Sequence, residues 1–304
     1  MILGCANFGG VGSDPSTWGR GTPEDEAFAI MDAAYDAGIR AFDSASSYGG
    51  GRSEEAIGRW LAARGRDDVV LTSKSFWPMH EQDDRGLAPA RIHRVAKDSL
   101  HRLGVDRIDL YLTHEPDPET PLIDTLRALD ELVSAGTIRA FGVSNGDGAY
   151  VEECLRLADG HGLRRIEWVQ NEYSLLVRDS ERDVLPLCAR EGLGFTPFSP
   201  LAGGWLTAKY RRGEAYPAES RMVVRPDLRF AREDVHAAVE AFAGYADERG
   251  VQPATLAFAW VLAQPGVTAA LAGPSRLAHL GPLLEGAVLE LSATERDELA
   301  ALFD

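Results

Sequence analysis

Short apolar runs with strand character alternate with amphipathic helical stretches along the whole chain, and this order constrains the fold more than any other feature. The predicted strands are residues 2–5, 40–42, 69–73, 108–113, 138–143, 168–170, 195–197 and 269–271. The predicted helices are residues 23–37, 53–63, 89–103, 122–135, 149–158, 180–191 and 253–262, with one more starting near Arg276. Strict β-then-α order with no break in composition favours a single closed (β/α)₈ TIM barrel in the α/β class over a doubly wound sheet.

Two segments are not part of this alternation of strands and helices. Residues 202–232, after the seventh predicted strand, are rich in Gly, Arg, Pro and Trp. A long loop at the carboxyl end of a strand usually serves as a lid or a cofactor clamp. Residues 293–302 form the second segment, an extra C-terminal helix. We therefore expect residues 1–304 to form one barrel domain with a functional loop after strand seven.

Composition narrows the range of partners. The net charge of −16 argues against nucleic acid and against anionic membranes. Cys5, Cys154 and Cys188 are scattered and lack metal-ligand spacing, so we expect reduced structural thiols and no metal site. The first ten residues lack a basic region, and no segment approaches eighteen consecutive apolar residues. These features predict a cytoplasmic protein and leave its oligomeric state open.

Four polar residues in the first third of the chain indicate where chemistry occurs. Asp43 ends a short apolar run, Lys74 and His114 end longer ones, and Tyr48 follows Asp43 closely. A parallel α/β fold keeps its active site at the carboxyl ends of its strands. Each residue alone has a structural explanation, as a cap, a loop aromatic, a solvated strand end or a core histidine. Together and in this order they favour an active site.

These residues and the segments around them resemble the aldo-keto reductases, a family of NADPH-linked carbonyl reductases built on a TIM barrel. The resemblance implies that Asp43, Tyr48, Lys74 and His114 form a catalytic tetrad. It also implies a β-hairpin across the barrel floor, which we expect to be absent because the sequence starts at the first barrel strand. The similar segments are GCANFGG, FDSASSYGGGRSE, LTSK, LYLTHEPD, GTIRAFGVSN, VQNEYSLL, FTPFSPLAGGWLTAKY and LAGPSR.

Carbonyl chemistry explains the need for these residue types. Hydride transfer to a carbonyl carbon builds negative charge on the oxygen, which calls for a proton donor, and Tyr48 can fill that role. A free phenol has a pKa of about 10, so a neighbouring cation such as Lys74 is required to ease its ionisation. Asp43 can hold the charge of that buried ammonium. His114 can then donate a hydrogen bond that aims the carbonyl.

The resemblance also implies a set of cofactor-binding residues. Ser144, Asn145 and Gln170 correspond to residues that bind the nicotinamide carboxamide, and Phe198 to an aromatic residue that stacks on the ring. Residues 199–206 correspond to the loop over the pyrophosphate, in which glycine allows close backbone approach. The residues implied in this loop are Ser199, Leu201 and Gly203.

Nucleotide preference depends on residues 271–276. A helix start there would offer backbone N–H groups to a phosphate, and Arg276 would offer a cation. The resemblance implies that Gly273, Ser275 and Arg276 bind the 2′-phosphate of NADPH. His279 and Leu283 replace the Gln and Asn that commonly contact the adenosine. NADPH is therefore the predicted cofactor, and NADH stays open beside it.

The substrate is predicted to be a small carbonyl compound bound by Phe8, Trp77, Glu115 and Trp205. Relatives commonly carry Trp directly after the catalytic histidine, where this chain has Glu115. A carboxylate at the mouth of a pocket disfavours apolar and anionic substrates and suits hydroxylated or cationic ones. Glu115 could equally be a solvent-facing loop residue.

Three classes of function are open from the sequence. The first is an oxidoreductase that reduces an aldehyde or ketone with NADPH, or runs in reverse as a sugar or alcohol dehydrogenase with NAD. The second is a nucleotide-binding regulatory subunit, like the barrel subunits of potassium channels. The third is a lyase or aldolase that uses Lys74 as a Schiff-base nucleophile. The complete tetrad favours the first class over the second, and the third class would not need Tyr48, Asn145, Gln170 and Arg276 together.

Overall fold

The computed structural model describes residues 1–65, 68–80, 82–218 and 220–304. Its strands are β1 (Ile2–Gly4), β2 (Ala41–Asp43), β3 (Val70–Ser75), β4 (Ile108–Thr113), β5 (Ile138–Ser144), β6 (Trp168–Glu172), β7 (Gly194–Phe198) and β8 (Leu271–Ala272). They form one parallel sheet in the order β7-β6-β5-β4-β3-β2-β1-β8. Neighbours in sequence are thus neighbours in the sheet, and the predicted TIM barrel is confirmed.

The barrel closes between β7 and the residues before β8. The N–H of Thr268 donates to the Phe195 carbonyl at 2.9 Å, and the N–H of Phe195 donates to Thr268 Oγ1 at 3.0 Å. On the other side, β1 pairs with both β2 and β8. Closure of the sheet satisfies backbone groups that would otherwise form two open edges.

The helices lie between the strands in the predicted order. Two of them have no counterpart among the predicted helices, and two others begin about four residues later than predicted, at Val184 and Leu280. The helices are α1 (Glu24–Asp36), α2 (Arg52–Arg64), α3 (Pro89–Leu103), α4 (Leu122–Ser134), α5 (Gly148–His161), α6 (Val184–Glu191), α7 (Arg221–Val224), α8 (Glu233–Glu248), α9 (Pro253–Leu262), α10 (Leu280–Val288) and α11 (Ala293–Ala301).

The long segment after β7 contains structure that the sequence prediction omitted. It begins with a 3-10 turn, Ala202–Thr207, and includes the short helix α7. Helix α8 follows, and its buried residues are spaced as on one face of a helix, so the periodic signal was present in the sequence. Those residues are Val235, Val239, Phe242 and Ala246.

The last part of the chain matches the prediction at one helix and departs from it at another. Arg276 has extended backbone and caps a 3-10 turn, Leu277–His279, so α10 begins four residues later than expected. Helix α11 forms at the predicted extra C-terminal position. Its start is fixed by a capping box, in which Ser292 and Glu295 satisfy each other's backbone N–H groups.

The hydrophobic core fills the barrel and the layer between strands and helices. Phe42 of β2 packs against Trp60 of α2 with ring centroids 5.3 Å apart, and both side chains are fully buried. Gly58 lets α2 approach α3 closely, because a Cβ there would lie 2.3 Å from the Arg102 carbonyl oxygen. Within the described residues, no helix has the length and hydrophobicity needed to cross a bilayer.

Candidate active site

The predicted tetrad residues converge at the carboxyl ends of adjacent strands. Asp43 is the last residue of β2, Lys74 lies near the end of β3, and His114 follows β4 directly. Tyr48 opens a 3-10 turn, Tyr48–Gly51, just beyond β2. Parallel pairing from β2 through β4 brings these strand ends to one edge of the sheet, which explains why residues far apart in sequence meet.

Lys74 and Asp43 form a buried ion pair. Lys74 Nζ lies 2.5 Å from Asp43 Oδ1 and 2.8 Å from the Ser44 carbonyl oxygen, and the two side chains are 0% and 2% exposed. Burial alone would lower the pKa of the Lys74 ammonium, but the charge of Asp43 and the contact with Tyr48 raise it above its ordinary value. Lys74 is therefore a protonated cation.

Tyr48 and His114 face the same point in space. Tyr48 Oη lies 3.5 Å from His114 Nε2 and 3.5 Å from Lys74 Nζ. Burial raises the pKa of the Tyr48 phenol, and the charge of Lys74 offsets part of that rise. Burial and the charge of Lys74 lower the pKa of His114 well below its ordinary value. The site thus holds a protonated phenol and a neutral imidazole, two groups able to donate to one oxygen atom.

Two amide side chains are oriented by the residues around the tetrad. Asn145 Nδ2 donates to the His114 carbonyl at 2.9 Å and to Glu115 Oε1 at 3.1 Å, while its backbone takes a left-handed conformation with φ 60°. Gln170 Nε2 donates to Asp43 Oδ2 at 2.9 Å. Because the NH₂ groups are committed to these acceptors, each amide offers a ligand its carbonyl oxygen. Ser144, the last residue of β5, is paired in register with Gln170.

The loop after β7 forms a glycine-lined turn next to two cations. Ser199 and Gly203 both have positive φ, and the Leu201 carbonyl accepts the Gly204 N–H at 2.9 Å. A Cβ on Gly204 would lie 2.8 Å from Lys209 Cε. Only a residue without a side chain can approach Lys209 so closely. A tight backbone turn beside an ammonium group suits the binding of a phosphate. Phe198, half-buried, ends β7 just before the turn.

Two basic residues of this region were missed in the sequence analysis. A Cβ on Gly203 would touch Arg221 Cγ at 3.6 Å, so the half-buried Arg221 lies against the turn. Burial lowers the pKa of Arg221, and it lowers the pKa of Lys209 although that side chain reaches the surface. Lys209 lies within the FTPFSPLAGGWLTAKY segment, which could have indicated it. Arg221 has no such motif.

The segment after β8 is held against the first barrel loop and helix α1. The Gly273 carbonyl accepts from Asn7 Nδ2 at 3.2 Å, and the Ser275 carbonyl accepts from Thr22 Oγ1 at 2.9 Å. Ser275 Oγ lies 3.3 Å from His279 Nδ1. The Leu277 N–H, at the start of the 3-10 turn, donates to Glu26 Oε1 at 3.2 Å. This carboxylate was not anticipated from the sequence.

The predicted substrate residues divide into two pairs. Trp77 and Glu115 are both half-buried near His114, and burial raises the pKa of Glu115 while a hydrogen bond with Trp77 opposes the rise. Phe8 and Trp205 are 0% and 1% exposed. Trp205 packs in edge contacts within its own loop and against α8, on Tyr210, Phe230 and His236.

An aromatic residue that the sequence analysis did not single out, Trp18, lies against the turn that Tyr48 opens. The Trp18 indole covers Gly50, where a Cβ would come within 3.2 Å of Trp18 Cδ2. Gly50 also approaches the Met79 carbonyl, so three barrel loops meet at this point. Trp18 is half-buried and lies with Trp77 among the loops around the tetrad.

The described residues hold no group of three or more His, Cys, Asp or Glu side chains placed to bind a metal ion.

Comparison with known proteins identifies the family of the whole chain. The profile of the Aldo/keto reductase family matches residues 1–304. The chain is 35% identical over 302 residues to the uncharacterized oxidoreductase YrpG of Bacillus subtilis, covering 96% of this chain and 88% of YrpG. It is 34% identical over 267 residues to a probable voltage-gated potassium channel subunit beta of Arabidopsis thaliana, covering 86% and 81%.

A solved structure is similar over nearly the whole chain. The glycerol dehydrogenase AKR11B4 from Gluconobacter oxydans superposes with a TM-score of 0.82 at 29% sequence identity. The match covers 99% of this chain and 90% of that enzyme. The similarity thus extends over the barrel and the loops that surround the tetrad.

The buried ion pair yields a stability prediction. Asp43→Asn should lower the free energy of unfolding by about 3–5 kcal/mol, because Lys74 is left as an unpaired buried cation. Adding Lys74→Met should recover most of that loss, since no charge then remains to be compensated. Urea denaturation of the wild type, both single variants and the double variant measures the coupling. A double variant no more stable than Asp43→Asn would contradict it.

Proposed function

Because the chain belongs to the aldo/keto reductase family of oxidoreductases, we propose that it transfers a hydride between NADPH and the carbonyl carbon of an aldehyde or ketone, with Tyr48 as the proton donor. One observation carries the proposal. Tyr48 Oη and His114 Nε2 lie 3.5 Å apart and face one point, next to the Lys74 and Asp43 ion pair. That arrangement matches what a developing alkoxide requires.

The residues around the tetrad fit a nicotinamide nucleotide, which when bound supplies the hydride. The carbonyl oxygens of Asn145 and Gln170 can accept from a carboxamide NH₂, and Ser144 can hydrogen-bond beside them. Phe198 offers a ring face for stacking. The turn with Ser199, Leu201 and Gly203 fits a pyrophosphate, and Lys209 and Arg221 supply positive charge for it. Gly273, Ser275 and Arg276 are assigned to the adenosine phosphate.

The tetrad residues then have distinct roles in carbonyl reduction. His114, neutral, donates from Nε2 to the carbonyl oxygen and orients it. Tyr48 would donate its phenolic proton to the same oxygen as negative charge develops on it, which gives the alcohol. Lys74 stabilises the phenolate left on Tyr48, and Asp43 keeps Lys74 charged. Proton uptake from water restores the phenol. Alcohol oxidation uses the same groups in reverse.

A hydroxylated carbonyl or polyol is the substrate class we propose. Glu115 and Trp77 together give the site mouth one carboxylate and one aromatic face. A carboxylate accepts hydrogen bonds from hydroxyl groups and disfavours wholly apolar compounds. The structural similarity to a glycerol dehydrogenase supports the same class. A panel of aldehydes, ketones and polyols, followed through the absorbance of the reduced nicotinamide with each nucleotide, tests both the reaction and its direction.

A nucleotide-binding regulatory subunit is the second candidate, favoured by the 34% identity to a potassium channel subunit beta. The complete tetrad supports the enzyme instead, since regulation by a bound nucleotide does not need a proton donor. The lyase alternative has less support, because a fully buried and protonated Lys74 is a poor nucleophile. Nucleotide binding without turnover on the whole panel would favour the regulatory subunit.

Removal of the phenolic hydroxyl tests the proton donor. Tyr48→Phe should lower kcat by roughly 10²–10⁴-fold, the usual contribution of a positioned acid, while nucleotide affinity changes little. Tyr245→Phe on the outer helix α8 is the matched control and should keep wild-type activity. Steady-state kinetics and nucleotide fluorescence measure the two effects. Retention of half the wild-type rate by Tyr48→Phe would exclude this role.

Arg276 tests the preference for NADPH. Arg276→Ala should raise the dissociation constant of NADPH about tenfold to a hundredfold, the value of a charge-assisted contact to phosphate. NADH lacks the 2′-phosphate, so its affinity should change little and serves as the internal control. Fluorescence titration with both nucleotides measures the difference. Equal weakening of both would show that Arg276 does not read the phosphate.

Glu115 tests the substrate class. Glu115→Trp should lower kcat/KM for a hydroxylated aldehyde and raise it for a bulky aromatic aldehyde, because an apolar face replaces a carboxylate. Glu119→Trp places the same side chain at an exposed position of the same loop and should change neither value. Kinetics with both aldehydes give the ratio. Parallel changes for the two aldehydes would leave Glu115 without a role in selectivity.

A further inference from the structure

We propose that Glu26 opposes binding of the 2′-phosphate and thereby sets the balance between NADPH and NADH in this protein. The inference rests on the proposed function, because it concerns the adenosine end of the same nucleotide site. Glu26 lies in the first turn of α1, outside the barrel strands. It belongs to no motif that indicates nucleotide binding.

The contact that carries the inference is made to the backbone. The Leu277 N–H, which follows Arg276 directly, donates to Glu26 Oε1 at 3.2 Å. This N–H is the first one after residues 271–276, the stretch proposed to bind the adenosine phosphate. An acidic side chain therefore lies directly beside the residues proposed for the phosphate. A phosphate bound by those residues would lie close to a carboxylate of like charge.

The charges around this contact are of both signs. The pKa of His279 is lowered, first by burial and then by the charges of Lys209 and Arg276. The charge of Glu26 opposes part of this lowering. These groups are close enough to influence one another, so the site contains cations together with one carboxylate. A phosphate dianion entering it gains attraction from the cations and repulsion from Glu26.

The ribose of NADH presents different chemistry at the same position. Its 2′-hydroxyl can donate a hydrogen bond to a carboxylate, and acidic residues bind that hydroxyl in other dinucleotide sites. Glu26 therefore stands as an acceptor for NADH and a like charge for NADPH. Removing only the charge of Glu26 should favour NADPH, the nucleotide that carries the 2′-phosphate.

Glu26→Gln is the test variant, because glutamine keeps an acceptor for the Leu277 N–H while removing the charge. Asp25→Asn is the matched control, an exposed acidic residue in the same helical turn. Calorimetric titration of the full chain with adenosine 2′,5′-bisphosphate and with AMP isolates the adenosine end and needs no turnover. Thermal unfolding of each variant checks that the fold is retained.

Glu26→Gln should bind adenosine 2′,5′-bisphosphate about threefold to tenfold more tightly, as expected for loss of one partly screened like charge. Binding of AMP should change less than twofold, and Asp25→Asn should match the wild type for both ligands. The gain should shrink as salt concentration rises. NADPH and NADH, titrated by fluorescence, should reproduce the same selective shift.

Two failures are distinguishable. If the wild type binds NADPH or NADH and Glu26→Gln shifts both fragments equally, or shifts neither, the role of Glu26 is overturned and the proposed function stands. If the wild type binds neither nucleotide, the proposed function fails and the inference fails with it. If Asp25→Asn gains as much affinity for adenosine 2′,5′-bisphosphate as Glu26→Gln, the effect comes from net charge. That result would also overturn the role of Glu26.

Discussion

The pairing of a buried ammonium with a buried carboxylate organises the active-site end of this barrel. The side chains of Lys74 and Asp43 are almost completely buried. Burying two charges costs free energy unless hydrogen bonds also satisfy their remaining donor and acceptor atoms. Here the Ser44 carbonyl takes a second Lys74 hydrogen, and Gln170 donates to the other Asp43 oxygen. The pair therefore ties β2 and β3 to β6 across the barrel, so the strand ends form one rigid frame.

Burial, together with the charge of Lys74, sets the protonation states on which the proposed chemistry depends. Burial raises the pKa of the Tyr48 phenol and lowers that of His114, so both groups stay uncharged near neutral pH. The positive charge of Lys74 acts on each in the direction that suits a donor: it favours ionisation of Tyr48 after proton transfer and disfavours a protonated His114. One cation thus adjusts two neighbours.

The sequence allowed prediction of the parts of the site that the barrel itself positions. Strand ends of a parallel sheet lie at one edge, so Asp43, Lys74 and His114 could be grouped from the apolar runs before them. The contact of Glu26 with Leu277 joins residues 251 positions apart through a 3-10 turn that no pattern indicated. The burial of Trp205 likewise depends on how its loop packs on α8. Loop conformation, unlike strand order, is not fixed by periodicity.

The predicted tetrad and the residues near the adenosine end of the proposed nucleotide site respond differently to substitution. The predicted tetrad residues lie at or just beyond strand ends and are linked by hydrogen bonds, so replacement of any member disturbs the others. Glu26, Arg276 and Lys209 lie on a helix start, a turn and a loop outside the strands, and they meet mainly through charge. Because such interactions are nearly independent of the buried frame, the proposed nucleotide preference could be changed by substitution without altering the predicted tetrad. In the proposed reaction, the barrel thus separates the residues assigned to hydride transfer from those assigned to the choice of nucleotide.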